Sequence, residues 1–130
     1  MLTRYPETTI GTKRRFHIDR EFPVTAKTAS YTVLESDAGK AFSNRGSSAD
    51  ITFTLPAPKA GLRYRFHKVV VDKDIVIVTN TSSVKLHGGS GSTQGTTATN
   101  STDTQYGICQ VWCDGTDWWV TNQMGTWAIS

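Results

Sequence analysis

The chain has 130 residues, of which 37% are hydrophobic and 19% charged, with 20 Thr, 11 Ser and 11 Gly. Such a mix is poor in helix formers and rich in strand and turn formers, which excludes a helical bundle or a coiled coil. No apolar run approaches the ~20 residues of a membrane helix. The first residues lack a signal peptide's apolar stretch, and two cysteines do not make a disulfide scaffold.

The net charge of +3 is split along the chain. All 14 Lys and Arg lie in residues 1–85, whereas residues 86–130 carry only Asp103, Asp114 and Asp117. The basic part predicts an acidic partner surface and a polarised body.

Residues 1–30 read as an extended arm, interrupted by Pro6 and Pro23, with its charge clustered at Lys13-Arg14-Arg15 and Asp19-Arg20-Glu21. It has too little apolar content to fold alone, so a partner would order it. From Tyr31 a body begins. Tyr31–Leu34 reads as a strand, Glu35–Gly39 as a turn or one helical turn capped at Ser36, and Ala41–Ser43 as a short strand. Ile51, Phe53 and Leu55 alternate inward, and Pro56 ends that strand because proline cannot donate to a ladder. Leu62, Tyr64 and Phe66 alternate inward again, with Arg63, Arg65 and His67 on the opposite face. Asp72-Lys73-Asp74 predicts a hairpin between Val69–Val71 and Ile75–Val78, and Val84–Leu86 is one more strand.

Residues 88–104 offer almost nothing to bury and read as a flexible Gly/Ser/Thr surface loop. Ile108–Cys113 and Trp118–Asn122 form the last hairpin, turning at Asp114–Asp117. Cys109, Val111, Cys113, Trp118 and Val120 then share one face. Trp112 and Trp119 share the other, opposite each other if the loop has four residues. About eight short strands with regular turn signals predict an all-β fold, an antiparallel β-sandwich or small barrel with an extended N-terminal arm.

No catalytic constellation emerges: His17, His67 and His87 have no nucleophile or carboxylate at a recognisable spacing. Cys109 and Cys113, four apart on a strand, sit about 13 Å apart, too far to bridge or to share a zinc. No metal or cofactor is expected, and His87 at a symmetry axis is the one conceivable ligand. Trp112, Trp119, Trp127 and Met124 read as subunit-packing residues or as platforms for sugar rings. The basic residues carry no nucleic-acid-binding motif.

Three stretches carry a resemblance. Tyr-Thr-Val-Leu-Glu-Ser-Asp-Ala-Gly-Lys-Ala-Phe-Ser-Asn (31–44), Ile-Thr-Phe-Thr-Leu-Pro (51–56) and Ala-Gly-Leu-Arg-Tyr-Arg-Phe (60–66) resemble a β-module of tailed-bacteriophage virion proteins. Cys-Asp-Gly-Thr-Asp-Trp-Trp-Val (113–120) is similar to that module's final hairpin. The resemblance implies a virion structural protein and no catalytic residues. An arm joined to one module, without rod repeats or an attachment domain, suits a trimeric capsid decoration or cement protein on the outer capsid surface. In that setting the major capsid protein is the partner, and no membrane or nucleic acid is bound directly. The arm (Arg4, Lys13, Arg14, Arg15, Phe16, Ile18, Arg20, Phe22) would contact capsid and neighbouring subunits. The alternative is a tail fibre or spike module that binds host surface glycans.

Overall fold

Alternating inward residues build two packed sheets. The structure, a computed structural model, describes residues 24–91, 94–102 and 105–130. Of the described residues 47% are in strands and 3% in helix, an all-β fold. Its strands are β1 (Val24–Ala26), β2 (Tyr31–Thr32), β3 (Ala41–Ser43), β4 (Ile51–Thr54), β5 (Arg63–Lys68), β6 (Ile75–Val78), β7 (Leu86–Gly88), β8 (Ser90–Gly91), β9 (Gln94–Gly95), β10 (Thr97–Asn100), β11 (Gly107–Cys113), β12 (Trp118–Met124) and β13 (Ala128–Ile129). A seven-stranded sheet runs β9-β7-β12-β11-β5-β3-β1, and a six-stranded sheet runs β2-β4-β6-β10-β13-β8.

The expected sandwich stands, but its sheets are mixed where a wholly antiparallel arrangement was expected. From β1 to β11 every successive strand changes sheet. Over the first six strands the chain re-enters each sheet in its original direction, so β1 pairs with β3, β3 with β5, β2 with β4 and β4 with β6, all in parallel. In contrast, β7 and β9, joined through β8 of the other sheet, pair antiparallel. Among the described strands only β11 and β12 are consecutive neighbours within one sheet.

The inward residues meet as one core. Phe42 and Phe66 from the seven-stranded sheet meet Phe53 from the six-stranded one, with ring centroids 4.9–5.9 Å apart. Ile51, Leu55, Ile75, Ile77, Leu86 and Trp118 are likewise fully buried. Cys109 and Cys113 are buried free thiols within this core.

Several expectations change. The hairpin at Asp72–Asp74 is a crossover, because β5 and β6 belong to different sheets. Asn44, fully buried, holds that crossover: its Oδ1 accepts from the amides of Val69 (2.8 Å) and Val70 (2.9 Å), and its Nδ2 donates to the carbonyls of Val70 and Lys73. The turn after Leu34 is a single 3-10 turn (Glu35–Asp37), and Asp37 rather than Ser36 caps it, accepting from the Leu34 amide at 3.0 Å.

Where they are described, residues 88–104 are strands, not a loose loop: the end of β7, then β8, β9 and β10, with Ala98 and Asn100 buried. Small residues suit a place where two sheets come together. At the crossing from β7 to β8, Gly88 and Gly89 have φ of 84° and 63°. A Cβ on Gly88 would sit 2.4 Å from the Val120 carbonyl oxygen, so only glycine fits.

The body also starts earlier than Tyr31. Val24–Ala26 lie in register with Ala41–Ser43 as an edge strand. The arm residues Arg4, Lys13, Arg14, Arg15, Phe16, Ile18, Arg20 and Phe22 lie outside the described residues.

Candidate functional site

The outer face of the seven-stranded sheet carries the candidate site, and strand register builds it. The β11–β12 hairpin closes with Cys113 opposite Trp118, leaving the four-residue loop Asp114–Asp117. Trp112 therefore stands directly opposite Trp119, as the parity of the hairpin required. On the far side of β12, parallel β7 places His87 beside Trp119, and β9 places Gln94 beside His87. On the far side of β11, Arg63 of β5 stands beside Trp112. The result is one row, Gln94–His87–Trp119–Trp112–Arg63, five strands wide and about 19 Å long at the usual strand spacing.

The rings in this row are near-parallel. His87 lies over Trp119 at 4.5 Å between centroids and 25°, and Trp112 follows at 6.1 Å and 19°. Trp112 is 36% exposed at the open end of the stack. Beside it Arg63 is exposed, and its guanidinium has no hydrogen bond or ion pair among the described residues.

Two carboxylates brace the row from below. Asp114 Oδ1 accepts from the amides of Thr116 and Asp117, both at 2.8 Å, and its Oδ2 accepts from Trp119 Nε1 at 2.9 Å. Those donors, the Asp117 amide first, hold the Asp114 carboxyl down to about 2. Asp117 Oδ2 lies 2.9 Å from His87 Nε2, and its Oδ1 accepts from the Lys85 amide. The His87 bond is the main reason the Asp117 carboxyl is lowered too. Both aromatic neighbours of the hairpin tip are thereby fixed in place. The row presents imidazole, indole, guanidinium and amide groups, with both carboxylates beside them.

Further along the same face stand Met124 (51% exposed), paired with Ile108, and Val24 (55% exposed) at the edge. The face is thus apolar and cationic in patches, which marks an interaction surface.

Of the four expected surface residues, Trp112, Trp119 and Met124 share this face. Trp127 does not. It is fully buried in this chain's own core, with its Nε1 donating to the carbonyls of Ile108 and Met124. Its segment, Met124–Ser130, folds back so that β13 joins the six-stranded sheet beside β10. Sequence reasoning missed His87 and Arg63 as members of the row, since both come from strands far from the hairpin in sequence. Alternation along β5 did put Arg63 on the outward face. The charge split does not become two poles either: basic β5 pairs directly with β11, so Arg63 and Arg65 lie beside the hairpin that bears the acids.

Among the described residues, no group of three or more His, Cys, Asp or Glu could hold a metal. His67 has its Nε2 buried and unpartnered, and burial, then Arg65, lowers its pKa. No family model and no curated protein matches this chain, so the phage resemblance rests on the residues quoted above.

Proposed function

We propose that this chain is a structural protein of a tailed-bacteriophage virion, a capsid decoration protein that binds the outer capsid surface as a trimer and stabilises the head. The observation that carries a binding role is the outer face of the seven-stranded sheet. There exposed Trp112, Met124 and Val24 lie with exposed Arg63 on one continuous surface. The virion setting comes from the resemblance of residues 31–66 and 113–120. The arm residues Arg4, Lys13, Arg14, Arg15, Arg20, Phe16, Ile18 and Phe22 add contacts to capsid and neighbouring subunits, and linked contacts multiply weak individual ones. The partner is the major capsid protein, approached through an acidic exterior that complements the Lys and Arg of residues 1–85. Cryo-electron microscopy of particles tests this reading: density for the chain on the head supports it, and density confined to the tail overturns it.

The open end of the aromatic stack favours a second reading, a tail module that binds host glycans. An exposed indole beside an exposed guanidinium suits a sugar ring that carries a carboxylate. It predicts retention on an array of acidic glycans, lost in Trp112→Ala.

A further inference from the structure

Two anomalies occupy one spot in the core. Lys68 is fully buried at the inward end of β5, and lysine is almost never buried without a counter-ion. Among the described residues its Nζ meets only neutral oxygens: the carbonyls of Thr102 (2.5 Å) and Asn100 (3.4 Å) and the Asn100 side-chain Oδ1 (3.1 Å). Among the described residues no carboxylate pairs with it. Asn100, on β10 of the facing sheet, is 1% exposed, and its Nδ2 has no hydrogen-bond partner. A buried orphan amide of this kind calls for an explanation.

The surroundings are shaped around that amide. A Cβ on Gly107 would lie 2.3 Å from Asn100 Nδ2 and 2.8 Å from its Cγ, and a Cβ on Gly125 would lie 3.1 Å from Nδ2. Two glycines therefore leave room for the carboxamide and hold it against the ammonium.

We propose that Lys68 and Asn100 become joined by an intramolecular isopeptide bond that ties the two sheets together. Nζ passes one proton to Nδ2, the lone pair so freed attacks Asn100 Cγ, an Nζ–Cγ bond forms and the Cγ–Nδ2 bond breaks. The two protons that Nζ gives up leave with Nδ2, which departs as ammonium. Charge, atoms and electrons balance without any co-reactant. The single reaction removes both anomalies, because the uncompensated cation and the orphan nitrogen leave together. The new amide keeps Oδ1 as its carbonyl oxygen and has one N–H left, with the Thr102 carbonyl already in place to accept it. Nζ is held 3.1 Å from the Oδ1 of the amide it attacks, well-oriented intramolecular reactions reach effective molarities of about 10⁵–10⁸ M, and the step need happen only once per molecule.

The test is mass spectrometry of the unmodified full chain after denaturation, followed by proteolysis. The expected chain is lighter than its linear sequence by one ammonia, and digestion yields a branched peptide joining the Lys68 and Asn100 segments. Lys68→Arg and Asn100→Ala restore the linear mass relationship. A full linear mass, or recovery of the two segments as separate peptides, overturns the proposal. The measurement is made on the unmutated chain, so a variant that fails to fold does not weaken it.

Discussion

Asp114 takes three donors on one carboxylate, and this ties the hairpin tip to the aromatic row. Its carboxyl lies at about 2, below the ordinary 3.8. A depressed acid contributes stability that is complete above its unfolded pKa and lost as pH falls through the folded value. The expected outcome is a carboxyl resonance for Asp114 that titrates near 2 by NMR, with the Trp119 indole N–H shift following it. In Asp114→Asn the transition disappears, and a midpoint near 4 would contradict the bonding described. At this scale the hairpin was legible: the parity of Cys109–Val120 put Trp112 and Trp119 together on the outward face. Trp127 was not, because the tail shows no alternation that distinguishes an indole docked on its own core from one reserved for a partner. Lys68 and Asn100 gave no sign either, since a lysine in an alternating strand ordinarily faces water.

At the scale of elements, the turns carry the difference between expectation and structure. Asp72-Lys73-Asp74 and Asn44-Arg45-Gly46 signal that the chain reverses, but they do not say whether it re-pairs within a sheet or crosses to the other. At Asp72–Asp74 a hairpin was the local choice. The buried face decides otherwise: Phe42, Phe53 and Phe66 come from successive strands and meet across the core. Asn44 supplies the crossover with four side-chain bonds to residues 69–73. Asn44→Ala leaves those backbone groups unsatisfied and should cost about 1–3 kcal/mol, read as a lower urea midpoint with an unchanged slope. An unchanged midpoint would show that another group holds the segment. The same reasoning explains residues 88–104. Composition showed nothing to bury, yet Gly88, Gly89 and Ala98 are the sizes that let two sheets close on each other.

For the whole molecule, the all-β sandwich was legible from strand alternation, and its mixed topology was not, since alternation reports which face a strand buries and not which neighbour it has. The position of the body's start matters for experiment. Val24–Ala26 complete an edge of the seven-stranded sheet, so removing residues 1–23 should leave the circular dichroism and cooperative unfolding of the body intact. Under the decoration reading the same deletion sharply weakens capsid association. Loss of the folded spectrum would show that the removed segment is part of the core.

Among the described residues the two sheets end in very short strands. β1 has three residues, and β2, β8 and β9 have two each. An exposed sheet margin invites another chain to add a strand, and the length of free ladder sets how well it can do so. Margins of two or three residues offer an incoming strand almost no backbone to pair with. Copies crowded together through these margins would therefore gain little by zipping edge to edge, which leaves side chains on the faces as the body's better means of contact.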